Sequence, residues 1–308
     1  MQYFIYILIN VISPIFTIIL LGYLLQRRFK LSIYSLSKVQ IFVFIPSLVF
    51  INIYNSTLDK SLMGSIVLYT TILFFIFIVL STLVSRILKL PKAKEKAFVN
   101  SISLRNQGNF GIPLVALLYT SGSSQYAMSI HMIGLIATTI LMYTVGLYNA
   151  SSGTYTSREA FKNILKLPII YVMVLAILAR QFGVVIAEPQ IATLTYLAKA
   201  VVPLALITLG AQLEETKFDF SDKTVYLGNF LRLIVSPVIA YLLCIFMGID
   251  GVARDVLVIG AATPTAVNSV LLAIEFDGNS NYASQTVFTS TIFSSVTIAI
   301  VINILKFV

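Results

Sequence analysis

The chain alternates between long apolar runs and short polar gaps. Ten runs of roughly 20 residues, each long enough to cross a hydrocarbon core of about 30 Å as a helix, lie near 3–25, 37–55, 62–85, 95–119, 126–149, 163–182, 191–213, 224–247, 253–275 and 282–305. None of the gaps between them is long enough to hold a soluble domain. The pattern predicts an all-α membrane protein. Two of the runs, the fourth and the ninth, are interrupted by polar residues, glycines and prolines.

Composition agrees with lipid as the main solvent. Of 308 residues, 58% are apolar and only 11% charged, where a soluble domain carries about 25% charged residues. The net charge of +9 does not mark a nucleic-acid partner, because the basic residues fall in the gaps rather than on one face. Counted together with the four residues at each bordering run end, the first, third, fifth and seventh gaps hold four, five, three and two Lys or Arg, whereas the even gaps and both ends hold Lys60, Arg180, Arg254 and Lys306. By the positive-inside rule the odd gaps face the cytoplasm, so the expectation is a multi-pass protein of the cell membrane with both termini outside. The first run (Tyr3 to Leu25) is followed, not preceded, by Arg27, Arg28 and Lys30, which is the reverse of a secretory signal.

Proline order suggests a repeat. Pro14, Pro46 and Pro113 occupy the first, second and fourth runs of one half, and Pro168, Pro203 and Pro264 the same runs of the other. The expected organisation is a five-helix unit over 1–150, a short cytoplasmic linker over 151–162, and a second five-helix unit over 163–308. Five crossings per unit put the halves in opposite orientations, an inverted repeat of the kind found in secondary transporters.

The fourth run contains Ser101-Ile-Ser-Leu-Arg-Asn-Gln-Gly-Asn-Phe-Gly-Ile-Pro113, and the ninth contains Gly260-Ala-Ala-Thr-Pro264-Thr-Ala-Val-Asn268-Ser269. Gly108 and Gly111 weaken a helix there, and Pro113 and Pro264 each remove a backbone donor; Pro113 suits the first turn of a new half-helix. Irregular backbone at membrane depth has to be buried in protein or line a cavity, and half-helix N-termini favour anions. The candidate binding residues are Arg105, Asn106, Asn109, Gly111, Pro113, Pro264, Thr265, Asn268 and Ser269. The bland alternative is a pair of proline kinks with Asn side chains joining helices.

Charged residues inside the runs refine this reading. Arg105 can balance an anionic ligand or reach the headgroups. Arg232 and Asp255 are candidate charge partners. No Asp or Glu falls in the middle of a run, which argues against paired carboxylates binding Na⁺ or H⁺ and leaves the coupling ion unassigned. One cysteine, Cys244, and one histidine, His131, exclude a disulfide framework and a histidine-rich metal site, and no cofactor motif is legible. Without paired catalytic carboxylates, a His or Cys constellation or a G-x-S-x-G, an enzyme is the weakest class.

At these motifs the sequence resembles the auxin efflux carrier family. The matching segments are Asn106-Gln-Gly-Asn-Phe-Gly-Ile-Pro113, Leu209-Gly-Ala-Gln-Leu213, Arg232 with Pro237, and Pro264-Thr-Ala-Val-Asn-Ser269 continuing to Ala273-Ile-Glu-Phe276. The resemblance implies two inverted five-helix repeats whose broken fourth and ninth helices cross near the midplane. It also implies a scaffold of helices 1, 2, 6 and 7 that joins a homodimer, with the other helices moving against it as an elevator. The substrate carboxylate would meet the crossing. Plant members carry a long hydrophilic loop where this chain has the short 151–162 linker, so it looks like a microbial carrier, whose bacterial relatives are associated with malate and malonate.

The leading expectation is therefore a secondary transporter of a small organic anion. The alternatives are a cation-coupled symporter for a larger amphipathic anion, as in bile-acid carriers of crossed architecture, and a membrane-embedded ligand sensor.

Overall fold

A computed structural model describes residues 2–120, 123–151, 162, 165–216 and 221–305. Most of the expected linker lies outside the described residues, as do Asp219 and Lys306. Among the described residues, twelve helical segments with defined bounds follow in order: α1 (Phe4–Phe29), α2 (Ile33–Tyr54), α3 (Lys60–Ile87), α4 (Lys92–Ser103), α5 (Gln107–Leu118), α6 (Ser124–Ala150), α7 (Pro168–Gln181), α8 (Glu188–Glu214), α9 (Lys223–Phe246), α10 (Gly251–Ala262), α11 (Asn268–Glu275) and α12 (Ser280–Leu305). Seven of these (α1, α2, α3, α6, α8, α9 and α12) are long and apolar enough to cross a membrane. The sixth apolar run yields the shorter α7, opened by Pro168. The fourth run divides into α4 and α5, and the ninth into α10 and α11.

Four prolines, three in the first half and one in the second, sit within helices that continue past them. Helices α1, α2, α5 and α9 each contain a π turn that ends two residues before a proline: Leu8–Ile12 before Pro14, Gln40–Phe44 before Pro46, Gln107–Gly111 before Pro113, and Leu231–Val235 before Pro237. In each, the residue preceding the proline donates five residues back, as Ser13 does to Leu8 and Ile112 to Gln107. A proline ring clashes with the carbonyl four residues back in a regular helix. The wider turn moves that carbonyl aside, so the helix bends and continues. Pro113 therefore lies inside α5, and the interruption sits earlier, at Leu104–Asn106.

The segments pack as two layers. In one, α1 lies along α8, and α2 lies against both α7 and α8. In the other, α3 supports α4 and α6, α6 supports α10, and α12 touches α4, α9, α10 and α11. The layers meet where α8 contacts α5, α2 contacts α6, and α1 contacts α12 and α5. On the odd-gap side, Lys94 Nζ lies 2.7 Å from Asp222 Oδ2, joining α4 to the start of α9. Burial raises the Asp222 carboxyl, yet hydrogen bonds from Lys94 and Thr224 outweigh it and hold its pKa below the usual carboxylate value.

The α1–α8 contact is backbone to backbone. A methyl group added at Gly22 would lie 2.2 Å from the Ile207 carbonyl oxygen, and one at Gly210 would lie 2.0 Å from that of Ile19. Lipid tails are as apolar as leucine, so helices in a bilayer associate by such close approach rather than by escape from water.

Gly22→Ala and Gly210→Ala should each lower the thermal-unfolding midpoint of the detergent-purified protein, by the equivalent of about 1–3 kcal/mol. Gly64→Ala, whose new methyl meets nothing within 4 Å, should leave the midpoint level or slightly raised. Equal midpoints for the three variants would contradict the close packing of α1 on α8.

Candidate functional site

The two interruptions meet each other. Helix α10 stops at Ala262 because Thr263 precedes a proline and is held extended (φ −61°, ψ 149°). Helix α4 stops at Ser103, and Leu104 is likewise extended. The freed strands run antiparallel, pairing Arg105 with Thr265. Asn106 N donates to the Pro264 carbonyl at 2.8 Å, and Ala266 N to that of Leu104 at 3.0 Å. Thr265 is fully buried; its N–H reaches Ser290 Oγ at 3.1 Å, and its hydroxyl donates to the Ser101 carbonyl at 2.8 Å.

The helix ends flanking the crossing are held by Arg232. A helix C-terminus leaves carbonyls without partners and a partial negative charge. From its π turn in α9, the fully buried Arg232 donates Nη1 to the Ile102 carbonyl at 2.9 Å and Nε to that of Thr263 at 3.1 Å. Its Nη2 donates to the Ala261 carbonyl, which also accepts from Ser236 Oγ. One guanidinium thus joins the end of α4 to the end of α10. The expected pairing of Arg232 with Asp255 is corrected by this: Asp255 Oδ1 lies 3.1 Å from Arg254 Nε. Sequence separation gave no sign of the carbonyls that the fold brings to Arg232.

A cavity of about 220 Å³ opens beside the crossing. Of the nine candidate residues, Arg105, Asn106, Asn109 and Asn268 line it. The other five do not. Gly111 lies under the His131 ring, where a methyl group would meet Cε1 at 2.8 Å. Pro113 is buried within α5. Pro264 and Thr265 are occupied in the backbone pairing, and Ser269 Oγ donates to the Ala266 carbonyl at 2.8 Å. His131 Nε2 is 2.9 Å from the Gln107 carbonyl, and Thr138 Oγ1 donates to Gln107 Oε1 at 3.1 Å. These bonds anchor the start of α5 from behind.

Sequence reasoning missed Gln40 and Gln212, which also line the cavity. Each had a signal: Gln40 is an amide inside an apolar run, and Gln212 lies in the Leu209–Leu213 motif. Gln40 Nε2 donates to Asn109 Oδ1 at 2.8 Å, linking the two layers. Several atoms of these lining residues are buried, with almost no accessible surface, and have no partner among the described residues: Arg105 Nε and Nη2, Asn106 Nδ2, Gln40 Oε1 and Gln212 Oε1. Arg105 is 5% exposed, and no carboxylate pairs with it among the described residues. The wall outside the crossing comes from the start of α2, the second half of α6, the start of α7, the end of α8 and from α11. All of these lie toward the odd gaps.

The sequence profile of a family described as "Membrane transport protein" matches residues 7–166 and 155–302. An uncharacterized transporter of Methanocaldococcus jannaschii is 25% identical over 272 residues, covering 86% of this chain and 87% of its own. Another, from Methanothermobacter thermautotrophicus, is 26% identical over 293 residues, covering 93% and 95%. The uncharacterized transporter YfdV of Escherichia coli is 29% identical over 139 residues, covering 43% and 44%.

Arg232→Met should remove a donor from three backbone carbonyls at membrane depth, leaving those of Ile102 and Thr263 without a side-chain donor and that of Ala261 with Ser236 alone. The expected loss is at least about 3 kcal/mol of stability, read as a lower unfolding midpoint and poorer yield of monodisperse protein. Arg232→Lys should recover little of it, because an ammonium cannot reproduce the planar fork. A native midpoint in Arg232→Met would mean that the fold does not depend on this clamp.

Proposed function

Because the chain belongs to the membrane transport protein family, the auxin efflux carrier family that its motifs resemble, we propose that it carries a small organic carboxylate across the cell membrane at the crossing of α4–α5 with α10–α11. The observation that carries this reading is Arg105. Its Nε and Nη2 form one edge of the guanidinium, both buried and both without a partner among the described residues. A carboxylate accepts two parallel N–H bonds on that edge. A buried charge without such a partner is costly, so a ligand carboxylate is stabilised there in proportion. Asn106 Nδ2, on the next residue, is a third buried donor without a partner among the described residues.

In this reading the chain crosses the bilayer ten times as two inverted halves, with α4–α5 and α10–α11 each making one broken crossing. The layer of α1, α2, α7 and α8 serves as the scaffold. Its tight glycine contact suits a part that stays rigid. The layer of α3–α6 and α9–α12 moves with the substrate, and the backbone pairing and Arg232 keep the crossing intact as it moves. The Gln40–Asn109 hydrogen bond spans the sliding surface and has to break. With the odd gaps in the cytoplasm, the cavity is the inward-facing half of the cycle. Displacement of the mobile layer would present Arg105 to the other side, as alternating access requires.

Counterflow of labelled carboxylates in proteoliposomes tests the proposal. Arg105→Gln should reduce counterflow about 100-fold or more, and Arg105→Lys, which keeps the charge without the fork, by about 10-fold. Asn109→Ala and Pro264→Ala should lower flux far more than yield. Undiminished carboxylate counterflow in Arg105→Gln, or no carboxylate flux by the native protein, would sink this reading.

A further inference from the structure

The two layers are fastened on the even-gap side and parted on the odd-gap side. On the fastened side α2 packs on α6, and the first turns of α1 pack on α12 and on the second half of α5. On the parted side the cavity is lined by the starts of α2 and α7 in one layer and by Met142 and Tyr143 of α6 in the other. The fastened side carries a polar contact at a helix end. Helix α2 stops at Tyr54, so the carbonyls of its last turn need partners from elsewhere. The Ser56 N–H, which a regular helix would aim at Asn52, bonds the Ile53 carbonyl instead. The Asn52 carbonyl accepts from the other layer: Ser129 Oγ donates to it at 2.9 Å and Gln125 Nε2 at 3.4 Å. Both Ser129 and Asn52 are buried, so water is kept from this contact while the layers stay together.

We propose that Ser129 and Gln125, with the end of α2, form a latch that holds the outer side shut while the cavity is open to the cytoplasm. The proposal rests on the reading that the layer of α3–α6 and α9–α12 moves, and adds the group that resists the movement. The contact is suited to release. Its acceptor is a spare carbonyl at a helix end, so α2 keeps its own hydrogen bonds when the donors leave. At the outer surface water replaces those donors, and a hydrogen bond exchanged for water has a small net worth. The latch therefore biases the position of the layer without freezing it. In the inverted-repeat reading, the counterpart of the closed α1–α12 contact is that of α7 with α6. Those two helices both line the open cavity.

The test is a distance measurement between two spin labels by pulsed electron resonance, which needs no substrate. Phe182→Cys at the outer end of α7 and Phe246→Cys at the outer end of α9 carry the labels, since both side chains are exposed; Cys244→Ala removes the native thiol. The labelled protein should show one dominant distance. Adding Ser129→Ala with Gln125→Ala should raise a second, discrete distance by about three- to tenfold. A discrete second distance, rather than general broadening, separates release of the latch from loss of fold. Ser295→Ala, whose hydroxyl bonds only within α12 to the Ile292 carbonyl, should leave the distribution as it was. An unchanged distribution in the double variant, with carboxylate counterflow intact, would overturn the latch and leave the carrier reading standing. A second distance that rises equally in Ser295→Ala would also overturn it. The expected shift without carboxylate flux would keep the latch and remove the carboxylate.

Discussion

Inside a bilayer core there is no water to satisfy a backbone N–H or carbonyl, so every interruption of a helix has to be repaired by the protein itself. This chain interrupts two helices and repairs each with the other. Two backbone hydrogen bonds between Leu104–Asn106 and Pro264–Ala266 replace part of what the helices lost. Thr265 and Ser290 take up a further donor. What remains is a group of carbonyls at two helix ends, and Arg232 serves them with a single planar group. The cavity, its donors and the layer that surrounds them exist because this repair closes.

The two buried arginines show how the same side chain is put to different uses by its surroundings. Arg232 faces helix C-termini, where partial negative charge and unpaired oxygens accept all that it donates. Arg105 lies opposite Thr265 at the crossing, its neighbours Leu104 and Asn106 bonded to Ala266 and Pro264, and one edge of its guanidinium is without a partner among the described residues. The first is a clamp, and substituting it should be felt as instability. The second is an unfilled electrostatic demand, which the proposed function assigns to substrate.

The two layers are held together internally by unlike means. Between α1 and α8 the backbones touch at Gly22 and Gly210, a contact that cannot slide without steric clash. Between the layers the contacts include side-chain hydrogen bonds: Gln40 to Asn109, and Ser129 and Gln125 to the Asn52 carbonyl. The proposed function uses this difference, taking the layer with the glycine contact as the scaffold.

Much of this was legible in the sequence. Apolar runs of bilayer length marked the long helices, because hydrophobicity and helix length act locally and leave a periodic record. The polar interruptions at Arg105–Asn109 and Thr263–Asn268 marked the broken helices for the same reason. Pro113 misled, since a proline reads as a break until the π turn before it is seen to absorb the ring. The tertiary structure alone decided which groups face each other: Arg232 with the ends of α4 and α10 rather than with Asp255, His131 with Gln107, and Gln40 and Gln212 across a cavity from Arg105. Such pairings join residues far apart in the chain, and no local spacing encodes them. The sequence by itself determined where the backbone could not be regular. Only the fold decided which side chains would answer for it, because those groups come from distant parts of the chain.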